Sequence, residues 1–159
     1  FGTVTIDEAT ALVVDAEGNI IVAGGTEGKL SGSSAGYYDV FVRKYNPKGN
    51  ELWTRQFGTA KDDFAKALAV DAEGNIVVAG TTMGNLSGSS AGNYDSFVRK
   101  YGPKGNELWT RQFGTVTIDE ATALAVDPAG NIMVAGFTGG SLSGSSAGDY
   151  DVFVMIYKP

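Results

Sequence analysis

The chain lacks both cysteine and histidine. These absences exclude disulfide bonds and thiolate metal sites, and they exclude nucleophiles activated by a Ser–His or Cys–His pair. No apolar stretch approaches the roughly 20 residues that a membrane-spanning helix needs, and no N-terminal signal segment is visible. We therefore expect no enzymatic activity, no cofactor and no membrane partner.

Basic side chains are also few, with 12 Lys and Arg against 18 Asp and Glu and a formal net charge of −6. Nucleic acids are usually bound by clustered Lys and Arg, so this acidic composition predicts no nucleic-acid partner. The chain has only four prolines but 23 glycines, and 43% of its residues are hydrophobic. Because Val, Ile, Tyr, Phe and Thr are concentrated in short runs, we expect an all-β protein with a core.

Nearly the whole chain consists of three copies of one unit of 56 residues, opened by Phe1, Phe57 and Phe113. Repeats of this length predict units that bury their faces against their neighbours. The predicted units are residues 1–56, 57–112 and 113–159, and the third lacks the counterpart of residues 48–56 (KGNELWTRQ). The closeness of the copies is typical of recent duplication or of an engineered or excised fragment.

Each unit contains four short apolar segments joined by turn residues. In the first unit these segments are residues 9–14, 20–24, 39–45 and 51–57. Gly18 lies between the first and second segments, and Gly49 lies between the third and fourth. Glycine adopts positive φ in such connections without strain. The pattern predicts a four-stranded antiparallel sheet in each unit, as in a β-propeller blade that packs both faces on its neighbours. A two-sheet sandwich is the alternative.

Three motifs resemble the bacterial beta-propeller repeat family SBBP. They are W-T-R-Q-F-G-T, D-x-A-x-A-L-A-V-D-x-x-G-N-I-x-V-A-G-x-T and G-x-Y-D-x-F-V-x-K-Y-x-P-x-G-N, carried best by residues 53–82 and 92–106. The resemblance covers essentially all three copies and implies a propeller fold. It implies no catalytic residues, and it implies a secreted or cell-surface location because the family is associated mainly with bacterial surface or secreted proteins.

Three blades are too few to close a propeller, whose rings usually hold four to eight. The end blades would expose large apolar faces, so we expect self-association, most simply a homodimer with six blades. In the third copy, Met155 and Ile156 replace Arg43 and Lys44. We therefore predict a self-association site at Met155, Ile156 and Tyr157. Drift in a terminal repeat is the alternative explanation of these replacements.

The two longer connections of each unit are expected on one side of the ring, where loops often carry binding residues. Their hydroxyl, aromatic and carboxylate groups suit a glycan or protein ligand, and the candidate residues are Ser34, Tyr38, Asp39, Ser90, Tyr94, Asp95, Ser146, Tyr150 and Asp151. Alternatively these residues form compact turns, with Asp39 accepting hydrogen bonds from loop amides. No string of acids matches a calcium loop, so no metal site is predicted.

Adjacent acids open the first strand region of every unit, at residues 7–8, 62–63 and 119–120. We interpret them as solvated loop charges rather than as the carboxylate pair of a glycosidase. Two function classes remain. The first is a non-enzymatic, self-assembling structural or interaction scaffold, and the alternative is a lectin-like glycan binder that uses the long loops.

Overall fold

The computed structural model describes residues 1–88 and 90–158, so Ser89 and Pro159 lie outside the described residues. Within those ranges the regular secondary structure consists of strands, and no helix there is long and apolar enough to cross a membrane. The strands are β1 (Asp7–Val14), β2 (Ile20–Thr26), β3 (Asp39–Tyr45), β4 (Glu51–Phe57), β5 (Asp63–Val70), β6 (Ile76–Thr82), β7 (Asp95–Tyr101), β8 (Glu107–Phe113), β9 (Asp119–Val126), β10 (Ile132–Thr138) and β11 (Asp151–Tyr157).

The strands form three antiparallel sheets. Blade 1 has the strand order β1-β2-β3-β4, blade 2 has β5-β6-β7-β8, and blade 3 has the three strands β9-β10-β11. The predictions of an all-β protein and of propeller blades are confirmed. Because β4 ends at Phe57 and β8 at Phe113, the first two blades each include the opening residue of the following sequence repeat.

Side-chain caps hold the tight turns between strands. Asp15 Oδ1 accepts the backbone N–H of Glu17 at 3.1 Å and that of Asn19 at 2.8 Å, while Gly18 adopts a φ of 78°. Such a bond competes with the extended conformation and reverses the chain between β1 and β2. Asn46 Oδ1 plays the same role between β3 and β4, where it accepts the amides of residues 48 and 50, both at 3.0 Å.

The hydrophobic core lies between the blades. Val40 and Val42 of blade 1 are fully buried in a cluster with Ala65, Ile76 and Val78 of blade 2. A second cluster joins blade 2 to blade 3 and contains Val77, Ala79, Val98, Ala121, Ile132, Val134 and Phe153. The first strands of successive blades are in contact: β5 contacts β1, and β9 contacts β5. Each blade is therefore stabilised mainly by its neighbours.

Edge-to-face phenylalanine pairs mark each junction between blades. Phe57 at the end of blade 1 meets Phe97 of blade 2 with ring centres 5.6 Å apart, and the Arg99 guanidinium lies 3.8 Å above the Phe57 ring. At the other end of the molecule, Phe1 meets Phe41 at the same 5.6 Å. Phe1 thus occupies on blade 1 the place that the last residue of a preceding blade takes at the internal junctions.

Candidate functional site

The predicted ligand-binding aspartates organise the loops in which they lie. Asp39 is fully buried, and its Oδ2 accepts the Ala35 amide and the Gln56 side-chain amide, both at 2.8 Å. Asp95 repeats this arrangement in blade 2, and Asp151 keeps the loop-amide bond at 2.8 Å in blade 3. These are the loop-cap contacts that the compact-turn alternative predicts.

The predicted serines are bonded within the same loops. Ser34 Oγ donates to the Gly36 carbonyl at 3.1 Å. The equivalent hydroxyls of Ser90 and Ser146 donate to the Gly92 and Gly148 carbonyls at 3.0 and 2.8 Å. Each serine therefore closes a local turn, and the structure places the three serines in three separate loops.

The predicted tyrosines differ from blade to blade. Tyr38 is half-buried against Phe64 of blade 2, with ring centres 5.2 Å apart. Tyr94 is also half-buried, and its carbonyl accepts the first amide of β9 at 2.8 Å. Tyr150 is 59% exposed and meets Phe137 edge to face at 5.3 Å. Of the predicted aromatic set, Tyr150 thus offers the most open surface.

A carboxylate pair lies at the junction of blades 1 and 2, and it corrects the interpretation of Asp63 as a solvated loop charge, while the neighbouring Asp62 is only partly buried. Asp63 is fully buried, and its Oδ2 accepts the Thr59 amide at 2.6 Å. A Cβ on Gly58 would lie 2.2 Å from Asp39 Oδ1 and 3.0 Å from Asp63 Oδ2, so both carboxylates converge on this glycine. At the next junction Asp95 and Asp119, also fully buried, converge on Gly114 in the same way.

The electrostatics of this pair are unfavourable to two full charges. Burial raises the pKa of Asp63 and the Asp39 charge raises it further, although hydrogen bonds from Thr82 and Thr59 lower it in part. Within residues 1–88 and 90–158, Oδ1 of Asp39 and of Asp63 lacks a partner with good hydrogen-bond geometry. No group of three metal-ligating side chains occurs in the same ranges.

An open apolar face lies on the C-terminal side of blade 3. Val152, Val154 and Ile156 of β11 are 83%, 66% and 61% exposed. Met155 and Tyr157, also predicted for self-association, point the other way and pack against the cluster between blades 2 and 3. The predicted segment is therefore divided between two faces of one strand. Strand alternation would have identified the two valines, which our sequence reasoning missed.

The opposite side of the molecule, on blade 1, has a second open face. Leu12 and Val14 of β1 are 64% and 55% exposed. Their equivalents in blade 2, Leu68 and Val70, pack against the cluster that contains Val40 of blade 1. The two open faces thus carry residues equivalent to those that pack against one another inside the chain.

Comparison with known proteins agrees with this architecture. Residues 52–87 and 108–143 each match the SBBP beta-propeller repeat. Over 96% of its length the chain is 30% identical to Regulatory protein FlaEY of Caulobacter vibrioides, of which it covers 18%. Over 68% of its length it is 28% identical to an uncharacterized WD repeat-containing protein of Acanthamoeba polyphaga mimivirus, of which it covers 9%. The chain therefore spans less than a fifth of either curated relative.

A solved structure is also similar. It is a crystal structure of a protein of unknown function from Bacteroides caccae, with a TM-score of 0.47 and 20% sequence identity over 80% of this chain and 38% of that one. Each SBBP match in this chain begins in the last strand of one blade and ends in the loop after the second strand of the next. Two of the three repeats of the chain therefore contain the SBBP beta-propeller repeat.

Proposed function

We propose that the chain is a non-enzymatic β-propeller scaffold that assembles with a second copy through its two open faces. The two matches to a beta-propeller repeat support a repeat module, as do the names of the relatives, a regulatory protein and a WD repeat-containing protein. One observation carries the proposal. The side chains exposed on the two end faces are the equivalents of side chains that meet at the internal junctions.

The apolar part of this match involves two residues on each face. Val152 and Val154 are the equivalents of Val40 and Val42, which blade 2 buries completely. Leu12 and Val14 are the equivalents of the blade 2 residues that pack there. Seating blade 1 of a second copy on blade 3 would therefore repeat the contacts that β3 and β5 already make within the chain. Full burial of one such side chain contributes about 1.5–3 kcal/mol.

The polar part of the junction is also divided between the two ends. Asp7 Oδ2 accepts the Thr3 amide at 2.5 Å, and Asp63 Oδ2 accepts the equivalent Thr59 amide. Gly2 lies against Asp7 in the same way that Gly58 lies against Asp63. Inside the chain, the Asp63 amide also donates to the Tyr38 carbonyl at 2.9 Å. In the assembly, the backbone amide of Asp7 of the partner subunit would donate in the same way to the Tyr150 carbonyl.

The blade number favours a dimer. Propeller rings usually hold four to eight blades, and six is the multiple of three within that range. The interface is head to tail, since the face of blade 3 differs from the face of blade 1. Two head-to-tail contacts close a ring of two chains when the rotation between blades allows it. We therefore propose a six-bladed homodimer.

Size-exclusion chromatography with light scattering tests this proposal. The wild-type chain is expected at about twice its 16.5 kDa mass. Val152→Lys places a charge on the open face and is expected to give a monomer. Val116→Lys is the matched control because Val116 is 81% exposed but lies in the loop before β9, outside the strands β1 and β11 that form the open faces, and it should stay dimeric. A monomeric wild type, or a dimeric Val152→Lys variant, would contradict the proposal.

A second candidate, glycan binding, is favoured by one observation on blade 3. Exposed Tyr150, together with Phe137, Ile118 and Glu120, lines a small open cleft. Aromatic rings beside a carboxylate are suited to a sugar, which offers apolar C–H faces and hydroxyl donors. A glycan array with Tyr150→Ala tests it, and Tyr37→Ala, at a tyrosine that is 78% exposed, is the control. Equal binding by both variants would exclude this cleft.

A further inference from the structure

A groove that combines apolar and basic side chains lies at the junction of blades 1 and 2, on the side of the tight turns. It is lined by Leu52, Trp53 and Arg55 of β4 and by Pro103 and Lys104 of the turn between β7 and β8, among others. Blades 1 and 2 are both four-stranded sheets. The groove is therefore a feature of a junction inside the chain.

A β-bulge in the outer strand presents the leucine of this groove to solvent. The ladder between β3 and β4 shifts register between Lys44 and Tyr45, so Leu52 has no partner in it. Leu52 is 51% exposed, and Leu108, which the same bulge places in β8, is 47% exposed. Because blade 1 lies beside blade 2, the exposure of Leu108 comes from the bulge and not from an open face. Bulges often re-aim a side chain at a functional site.

The turn of blade 2 fixes the position of Trp53. The Trp53 Nε1 donates to the Pro103 carbonyl at 3.1 Å. Gly105 lies so close that a Cβ on it would be 2.8 Å from Trp53 Cδ2, and the Arg55 guanidinium lies 5.6 Å from the ring centre. This crowding disfavours the stacking of a sugar ring on the indole, whereas Leu52 and the exposed Pro103 supply apolar surface beside it.

The two cations of the groove can still bind a ligand. Arg55 donates from Nε to the Gly105 carbonyl at 2.7 Å, from Nη1 to the Thr54 carbonyl at 2.8 Å and from Nη2 to the Lys104 carbonyl at 3.4 Å. Because a guanidinium carries more donors than these bonds use, Arg55 can also bind a carboxylate. Lys104 is exposed, and within residues 1–88 and 90–158 neither side chain forms an ion pair.

The groove is basic although the chain is acidic. The four buried junction aspartates begin their strands at the long-loop end of each sheet, opposite the tight turns. In the adjacent turn, Lys44 neutralises Asp15 at 2.8 Å, which leaves Glu17 against Arg55 and Lys104. A ligand in the groove therefore meets an excess of positive charge.

We propose that this groove docks an extended segment of a partner protein in which apolar side chains are flanked by acidic ones. The apolar side chains pack on Leu52 and Pro103, and the flanking carboxylates pair with Arg55 and Lys104. Charge complementarity selects an acidic partner and speeds encounter, while burial of the apolar side chains supplies affinity. The site lies within one chain, so it does not depend on the proposed dimer.

Fluorescence anisotropy with labelled peptides tests the proposal. The peptide DDLLDD should bind, whereas KKLLKK, with the opposite charge, and DDGGDD, without apolar side chains, should each bind at least about tenfold more weakly. Raising the salt concentration from about 0.05 M to about 0.5 M should weaken the binding of DDLLDD, because the paired charges are partly exposed. Absence of binding would overturn the proposal. Equal binding of DDLLDD and DDGGDD would overturn it in favour of a general site for polyanions such as acidic glycans.

Charge reversal in the turn locates the site. Lys104→Glu should weaken the binding of DDLLDD at least about tenfold, because it removes a cation and adds a like charge. Lys48→Glu is the matched control, since Lys48 is exposed at the equivalent place in the turn of blade 1 and changes the net charge equally. Its affinity for DDLLDD should stay within about twofold of the wild type. Equal losses in the two variants would overturn the proposal.

Tryptophan emission gives a signal from the groove itself. The chain has two tryptophans, so Trp109→Phe leaves Trp53 as the only indole. DDLLDD should change the emission of this variant, and KKLLKK should not. Adding Leu52→Glu should abolish the change with little effect on the urea midpoint, since Leu52 is half exposed. An emission change that survives Leu52→Glu would overturn the proposal.

Discussion

The buried ion pair between Lys44 and Asp15 should be essential to blade 1. Lys44 Nζ lies 2.8 Å from Asp15 Oδ2, and the two side chains are only 5% and 1% exposed. Blade 3 has the same turn with Asp127, but Ile156 takes the place of the lysine. The variant Lys44→Ile therefore introduces into blade 1 a residue that the chain already uses at the equivalent position.

The pKa of Asp15 gives the size of the expected effect. Burial alone would raise it, but hydrogen bonds from Lys44 and Asn19 outweigh burial and lower the pKa from 3.8 to about 2. This difference corresponds to about 2 kcal/mol of stability at neutral pH. Removing the lysine leaves a buried carboxylate without its counter-charge, so Lys44→Ile should cost about 3 kcal/mol. Adding Asp15→Asn should restore part of that loss.

Urea unfolding across the acid range measures both effects. A carboxyl group whose pKa is lowered by folding contributes stability above about pH 4 and loses it as the pH falls toward about 2. The wild type should therefore lose more stability over this range than Lys44→Ile. The second ion pair, between Lys100 and Asp71 at 2.9 Å, is present in both proteins and contributes equally to their acid profiles. Equal urea midpoints at neutral pH, or equal losses in acid, would refute this reasoning.

Three further predictions concern the junction of blades 1 and 2, each measured by urea unfolding. Gly58→Ala should cost about 1–3 kcal/mol because its Cβ would lie 2.2 Å from Asp39 Oδ1, whereas Gly148→Ala meets nothing within 4 Å and should be silent. The free energy of unfolding of the wild type should increase as the pH falls from about 7 toward about 4, because burial raises the pKa of Asp63 in the folded state. Asp39→Asn should reduce this increase, and a variant with the same pH profile as the wild type would contradict the proposed carboxylate pair. Phe57→Ala should cost about 2–4 kcal/mol, and the equivalent change at Phe1, which is 64% exposed, less than half as much; equal losses would contradict the packing described here.

The strands and tight turns could be predicted from the sequence because their signals are local. The cap by Asp15 and the positive φ of Gly18 depend on residues at most four positions apart. The same is true of the turn formed around Asn46. The repeat then multiplies each local signal by three, so the order of strands in every blade follows from one unit.

The junction carboxylates could not be predicted in this way, because their burial depends on a neighbouring blade. Asp63 follows another aspartate and looks like a solvated loop charge, but it lies against Gly58 and converges there with Asp39 of the preceding blade. The same limit applies to β11. Met155 and Ile156 are consecutive, and only the position of blade 2 determines which of them is covered.

The junctions between blades are near copies of one another, as the two phenylalanine pairs at 5.6 and 5.4 Å illustrate. Stability in such an array is a sum of nearest-neighbour terms, as in a one-dimensional lattice. A linear array always has one junction fewer than it has blades, whereas a ring has as many, so closure removes the two ends from which fraying starts. Whole repeats can then be gained or lost during evolution without a new interface, provided that the final number still closes.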